Sequence, residues 1–180
     1  MDDRSAEVEK YVDAYRDPSY RMGDGRLRAM TEIIKPYRGS FLDVGCGRGE
    51  LLRVAQSLGY RPTYGMEAVP NLCGDTILHG TINAIPYPDK SFDVVTCVDV
   101  IENILEYDIV PGLKELERVT KGTLFIAAAD FPDWRNGINL HPSARPYSQW
   151  DELFRANLTG KISIAGMTST SQVWQVTYGR

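Results

Sequence analysis

Phe41-Leu-Asp-Val-Gly45-Cys-Gly47-Arg-Gly49-Glu50 decides how this chain folds. A short apolar run ends in a carboxylate, Asp43, and then gives way to glycines at alternate positions 45, 47 and 49. Glycine lacks Cβ, so it suits places where the backbone must turn sharply or let a ligand come close. The amphipathic run Leu51 to Leu58 follows directly. A strand, a tight turn and a helix start are expected. The helix N-terminus would offer free N–H groups and a partial positive charge. Asp43 is discordant with a pyrophosphate site, because a carboxylate beside phosphates repels them, whereas it suits a ligand carrying an ammonium or another cation. The spacing is Gly-x-Gly-x-Gly, not the Gly-x-Gly-x-x-Gly of dinucleotide sites.

Working outward, strands and helices alternate. Helices are expected over about 4–16, with Val8, Tyr11, Val12 and Tyr15 on one side, and over the stripe Leu27, Met30, Ile33 and Ile34. Strands are expected at about 40–44, 62–66, 76–79, 92–98 and 123–128. The last is apolar almost throughout, as in a strand buried on both faces. Ile109, Leu113, Leu116 and Val119 mark a helix over about 106–120. Residues 130–147 hold three prolines, Gly137 and two asparagines, and read as a long loop. Ser148 is expected to cap a helix with Trp150, Leu153, Phe154 and Leu158 inward and Asp151 in the capping-box position. Closing strands at about 161–166 and 172–178 flank a short turn, which implies one antiparallel strand. The fold class is α/β, a Rossmann-like doubly wound, mostly parallel sheet of about seven strands. Between Glu67 and Asp75 there is little room for a crossover helix, so that helix shrinks to a turn or strand three lies elsewhere.

The 180 residues fit one domain, with 1–23 as an N-terminal lid and 24–180 as the core. No apolar run approaches the ~20 residues of a membrane span, and the first residues lack an apolar signal core, so the expected location is the cytoplasm. Three cysteines without paired spacing give neither a disulfide framework nor a metal site. A formal charge of −4 with no Lys/Arg block makes nucleic acid a poor partner. Oligomeric state is left open.

Further residues complete a pattern. Gly65-Met66-Glu67 ends the second strand, and a carboxylate there can accept both hydroxyls of a ribose. Gly80-Thr-Ile-Asn-Ala-Ile-Pro-Tyr-Pro-Asp-Lys-Ser-Phe-Asp93, Val94-Val-Thr-Cys-Val-Asp-Val-Ile-Glu-Asn103 and His141-Pro-Ser-Ala-Arg-Pro-Tyr-Ser148 follow in order. Together with the glycine stretch, over about 38–158, they resemble the class I methyltransferases that use S-adenosylmethionine (SAM), in particular the small-molecule type 11 group.

The resemblance implies a SAM site made from Asp43, Gly45, Cys46, Gly47, Gly49, Glu67, Thr81, Ile82, Asn83, Cys97 and Val98. Tyr11 and Arg21 would come from the lid, where an arginine fork can pair with the SAM carboxylate. Asp130, Trp134, Arg145 and Tyr147 would shape the acceptor pocket, and His141, one of two histidines, is the candidate base. Methyl transfer to a small molecule or sugar, on O or N, is the implied function. Thr81 replaces the group's acidic adenine partner and Asn103 replaces its histidine, so binding of SAM or S-adenosylhomocysteine (SAH) without transfer stays open. A nicotinamide-dependent oxidoreductase is disfavoured by Asp43 and the glycine spacing. The amino-methylating DNA signature, a Pro-Cys nucleophile, a catechol-type magnesium motif and zinc spacing are all missing.

Overall fold

Leu124 to Ala128 are fully buried, and they alternate between two separate apolar cores. Leu124, Ile126 and Ala128 face one, Phe125 and Ala127 the other. That is why this strand carries no polar alternation: both faces are covered. It is the centre of the computed structural model, which describes residues 3–179. The first two residues of the expected lid and the last of the expected domain lie outside the described residues.

The elements are α1 (Asp3–Ala14), α2 (Asp24–Ile34), β1 (Phe41–Val44), α3 (Glu50–Ser57), β2 (Thr63–Glu67), β3 (Ile77–His79), β4 (Phe92–Val98), α4 (Glu106–Val119), β5 (Thr120–Ala128), β6 (Trp134–Arg135), β7 (Ile138–Asn139), α5 (Tyr147–Asn157), β8 (Lys161–Met167) and β9 (Gln172–Thr177). The main sheet has seven strands in the order β3-β2-β1-β4-β5-β9-β8. All its neighbours pair in parallel except β9, which runs against both β5 and β8. This is the Rossmann-like doubly wound sheet with one antiparallel strand. Helices α4 and α5 cover one face through Ile109, Leu113, Leu116, Trp150 and Phe154. Helices α2 and α3 cover the other through Met30, Ile34, Leu51, Leu52 and Ala55. Among the described residues no helix is long and apolar enough to cross a membrane.

Several local expectations need correcting. The β2–β3 connection carries only a one-turn helix, Pro70–Leu72. The crossover helix has shrunk to a turn, with strand three where expected. Helix α5 starts at Tyr147, and Ser148 does not cap it. The Pro146 carbonyl closes the first turn by accepting from Gln149 and Trp150 N–H at 2.9 and 3.2 Å. Asp151 takes no part in a capping box; its carboxylate accepts from Arg155 and from Trp174 Nε1. The expected start of the core at residue 24 coincides with the start of α2, whose first turn holds Asp24 and Gly25. The 130–147 segment holds a small hairpin, β6–β7, turned at Asn136-Gly137 with both φ angles positive, at 50° and 79°. Asn-Gly favours that tight turn.

Candidate functional site

The glycine turn leaves β1 with Gly45, Gly47 and Gly49 all left-handed, at φ 71°, 54° and 74°. A Cβ at Gly45 would collide with Val100, and one at Gly47 would lie 2.5 Å from the Tyr15 hydroxyl. The backbone here can take this path only because side chains are absent. The turn N–H groups are organised by Glu67 at the tip of β2. Its Oε2 accepts from Gly47 N at 2.8 Å, and its Oε1 accepts from Ala68 and Val69 N at 2.8 and 3.0 Å. Parallel pairing of Val44 with Met66 brings the two strand tips together.

Beside the turn opens a cavity of about 410 Å³ at the carboxyl ends of the parallel strands. Gly45, Cys46, Gly47 and Glu67 line one part, and Thr81, Ile82 and Asn83 line another. Val98 at the end of β4 and Asp99, Glu102 and Asn103 just after it form its floor, while Phe131 and His141 come from the segment after β5. The roof is α1 and the chain behind it, through Glu7, Tyr11, Tyr15 and Tyr20. Residues 4, 7, 8, 11 and 15 recur at helical spacing on one side, which is why they all face the cavity. The roof is tied down. Arg4 makes a bidentate pair with Asp108, Tyr11 OH donates to the Leu140 carbonyl, and Arg48 Nη2 donates to the Tyr15 carbonyl at 2.8 Å.

Residues 42–126, from β1 to the end of β5, match the family described as methyltransferase domain. The matched span carries the glycine turn, Glu67, the 81–83 wall and the cavity floor, while α1, α2, β8 and β9 lie outside it. A demethylmenaquinone methyltransferase of Geobacillus stearothermophilus is 33% identical over 95 residues, a match covering 44% of this chain and 40% of the relative. The match thus spans less than half the length of that relative. Solved structures share the whole fold at low identity. The 1,6-didemethyltoxoflavin-N1-methyltransferase of Burkholderia thailandensis, solved with S-adenosylhomocysteine, is 15% identical with a TM-score of 0.74, over 98% of this chain and 89% of that one. Magnesium protoporphyrin IX methyltransferase of Synechocystis PCC 6803, solved with SAM, is 16% identical with a TM-score of 0.73, over 99% and 98%.

The fold places the residues singled out by sequence in two groups. Tyr11, Arg21, Gly45, Cys46, Gly47, Glu67, Thr81, Ile82, Asn83, Val98 and His141 line the cavity. Asp43, Gly49, Cys97, Asp130, Trp134, Arg145 and Tyr147 do not. Asp43 pairs in register with Thr96, whose Oγ1 donates to it at 2.7 Å, and its other oxygen is buried without a partner. Burial pushes its carboxyl up to about 7, opposed by the Thr96 bond and reinforced by Glu67 and Glu50. Gly49 caps α3, and Cys97 is fully buried in the core. Trp134 is 65% exposed on the hairpin. Arg145 pairs with Glu106 and stacks over Trp150, and the Tyr147 hydroxyl donates to the Thr170 carbonyl at 3.4 Å. Arg21 faces Asp24 at 2.8 Å. The cation on the cavity wall beside Asp99 is Arg26, whose Nη1 donates to Asp99 and whose Nε is buried without a partner.

His141 is oriented by its own loop. Nδ1 lies 2.8 Å from the Phe131 carbonyl, which can only accept, so this bond selects the tautomer of the neutral ring with its proton on Nδ1 and its lone pair on Nε2. Asn103 Nδ2 donates to the Asp99 carbonyl at 2.6 Å. Burial raises the Glu67 carboxyl, opposed by its three backbone donors, and raises that of Glu102 well above the ordinary range, with Asp99 adding to it. Among the described residues no group of His, Cys, Asp and Glu could hold a metal ion.

Proposed function

We propose that the cavity binds SAM across the strand tips and that the protein transfers its methyl group to a small-molecule acceptor, on oxygen or nitrogen. The observation that carries this reading is the junction of the left-handed glycine turn with the buried Glu67 carboxylate. The residues fit the cofactor on three further counts. Gly47 offers a cradle that a Cβ would fill. Asn83 presents a buried, unpartnered Oδ1 beside Thr81 and Ile82, where the adenine amino group needs an acceptor. The cavity wall is acidic, which suits a ligand whose sulfonium and ammonium outweigh its carboxylate.

In this reading Glu67 keeps its backbone bonds and offers its remaining lone pairs to the ribose hydroxyls. Thr81 and the Ile82 N–H serve the adenine edge with Asn83. Bound SAM supplies an already electrophilic methyl group, so the protein's task is to hold the acceptor in line and exclude water. His141 Nε2 takes a proton from an acceptor that arrives protonated.

Glu67→Ala is expected to weaken SAH binding about ten- to hundredfold, since bonds to a charged acceptor contribute about 1.5–3 kcal/mol. Calorimetry measures this, with circular dichroism to establish folding; an unchanged dissociation constant would make Glu67 a support of the turn alone. The roof gives a second test. None of the α1 residues belongs to either apolar core, and Met22 is the one described residue before Gly23 that packs against a core, so a chain lacking residues 1–22 is expected to fold and to bind SAH more weakly. Hydrogen exchange in α1 is expected to slow when SAH is added to the full chain. Unfolding on truncation would make α1 part of the scaffold and end its role as a lid.

A further inference from the structure

Glu7 Oε1, Asn83 Oδ1, Glu102 Oε2 and Asn103 Oδ1 are buried without hydrogen-bond partners, and all four residues line the cavity. The amides cannot be turned round to relieve this. Asn83 Nδ2 donates to the Asp108 carboxylate and Asn103 Nδ2 to a carbonyl, both partners that only accept. Burying an acceptor without a donor is costly, so what fills the cavity must bring N–H or O–H groups. Asn83 belongs with the adenine wall. Asn103 and the two carboxylates remain, and of these only the carboxylates select for charge.

Glu7 hangs from the roof and Glu102 rises from the floor, 9% and 0% exposed. Each has one oxygen already used: Glu7 Oε2 by Lys10 at 2.6 Å, Glu102 Oε1 by Ala129 N at 3.0 Å. Glu7 lies one helical turn before Tyr11 on α1, and Glu102 is tied to the segment after β5 by Ala129 N at its carboxylate and by Ser143 N, 3.1 Å away, at its carbonyl. The Tyr11 hydroxyl donates to Leu140, the residue before His141. Both residues therefore line the part of the cavity near the segment that carries the candidate base. A hydroxyl brings one donor and no charge, and a carboxylic acid brings repulsion. A protonated amine brings two or three donors and a positive charge, which adds to the Lys10 ammonium already on Glu7.

We propose that the methyl acceptor is an amine whose N–H groups bind between Glu7 and Glu102, so that nitrogen is the atom methylated. This rests on the SAM reading above and narrows its acceptor. In overall balance the nitrogen gives up one proton, taken by His141 Nε2, and gains the methyl group, while the electron pair of the broken bond stays on the donor's sulfur. Glu7 and Glu102 hold and select the amine; they are positioning residues.

The test uses the full chain saturated with SAH and three probes of one skeleton, benzylamine, benzyl alcohol and phenylacetate, followed by ligand-observed NMR. Benzylamine is expected to bind at least about tenfold more tightly than the other two. Glu7→Gln and Glu102→Gln are each expected to weaken it by about tenfold or more, with SAH affinity from calorimetry unchanged. Glu7→Gln lies on the roof, outside both cores, and keeps the test valid if Glu102→Gln fails to fold. The proposal is overturned if the alcohol or the acid binds as well as the amine. It is equally overturned if benzylamine fails to bind the SAH complex or ignores the variants, or if the variants lose SAH instead, which would assign the carboxylates to the cofactor. A wild-type chain that binds benzylamine but not SAH would remove the SAM reading and leave the amine site standing.

Discussion

Gly47→Val is expected to abolish binding of SAM and SAH in a protein that still folds. Two effects add. Position 47 sits at φ 54°, where an L side chain costs about 1–2 kcal/mol and a β-branched one more. The new Cβ would also lie 2.5 Å from the Tyr15 hydroxyl. Tyr15 stacks edge-on with Tyr20 and is tied at its carbonyl by Arg48, so it cannot swing away freely. The valine methyls would project into the cradle itself. Calorimetric titration of the variant with SAH, beside its circular dichroism spectrum, decides the matter. Wild-type affinity in a folded variant would show that the ligand lies elsewhere.

His141→Ala is expected to lower turnover by about 10²–10⁴ with SAM affinity unchanged. The Phe131 carbonyl holds the Nδ1 proton, so the imidazole keeps a free lone pair on Nε2 without needing a carboxylate partner. The loss is expected to shrink at high pH, where the acceptor sheds its proton unaided. Initial rates of wild type and variant across pH measure both effects. A variant that transfers methyl at the wild-type rate would leave positioning as the whole of catalysis. Tight SAH binding with no methylated acceptor would favour a binding-only protein.

The sequence is most legible where the signal is local. The glycine turn, the apolar β5 and the helical stripe of α4 each combine residues close in the chain with one period or one backbone demand, and each element lies where its pattern places it. Asn136-Gly137 is just as local, but the surrounding prolines favour irregular chain; its positive φ angles mark a hairpin. Ser148 misled for the opposite reason. Its type suits a cap, but the Pro146 carbonyl already closes that turn.

The cavity's other members depend on contacts far apart in sequence. Glu7 reaches it because Arg4 pairs with Asp108, over 104 residues. Ser171 lies on its wall through its bond to Asp99, over 72 residues. Arg26 lies on α2, and only the fold sets it against Asp99, 73 residues away in the chain. Of the residues expected to shape an acceptor pocket, Trp134 and Arg145 share the right stretch of chain with His141, but the hairpin and the Glu106 pair turn them aside.

The most direct measurement is a crystal structure of the protein soaked with SAH, with a parallel soak in NAD. The account predicts SAH in the cavity, its ribose hydroxyls on Glu67, its adenine beside Thr81, Ile82 and Asn83, and its amino-acid end over Gly45 and Gly47, with no NAD bound. NAD density on the glycine turn, or SAH bound away from Glu67, would contradict it.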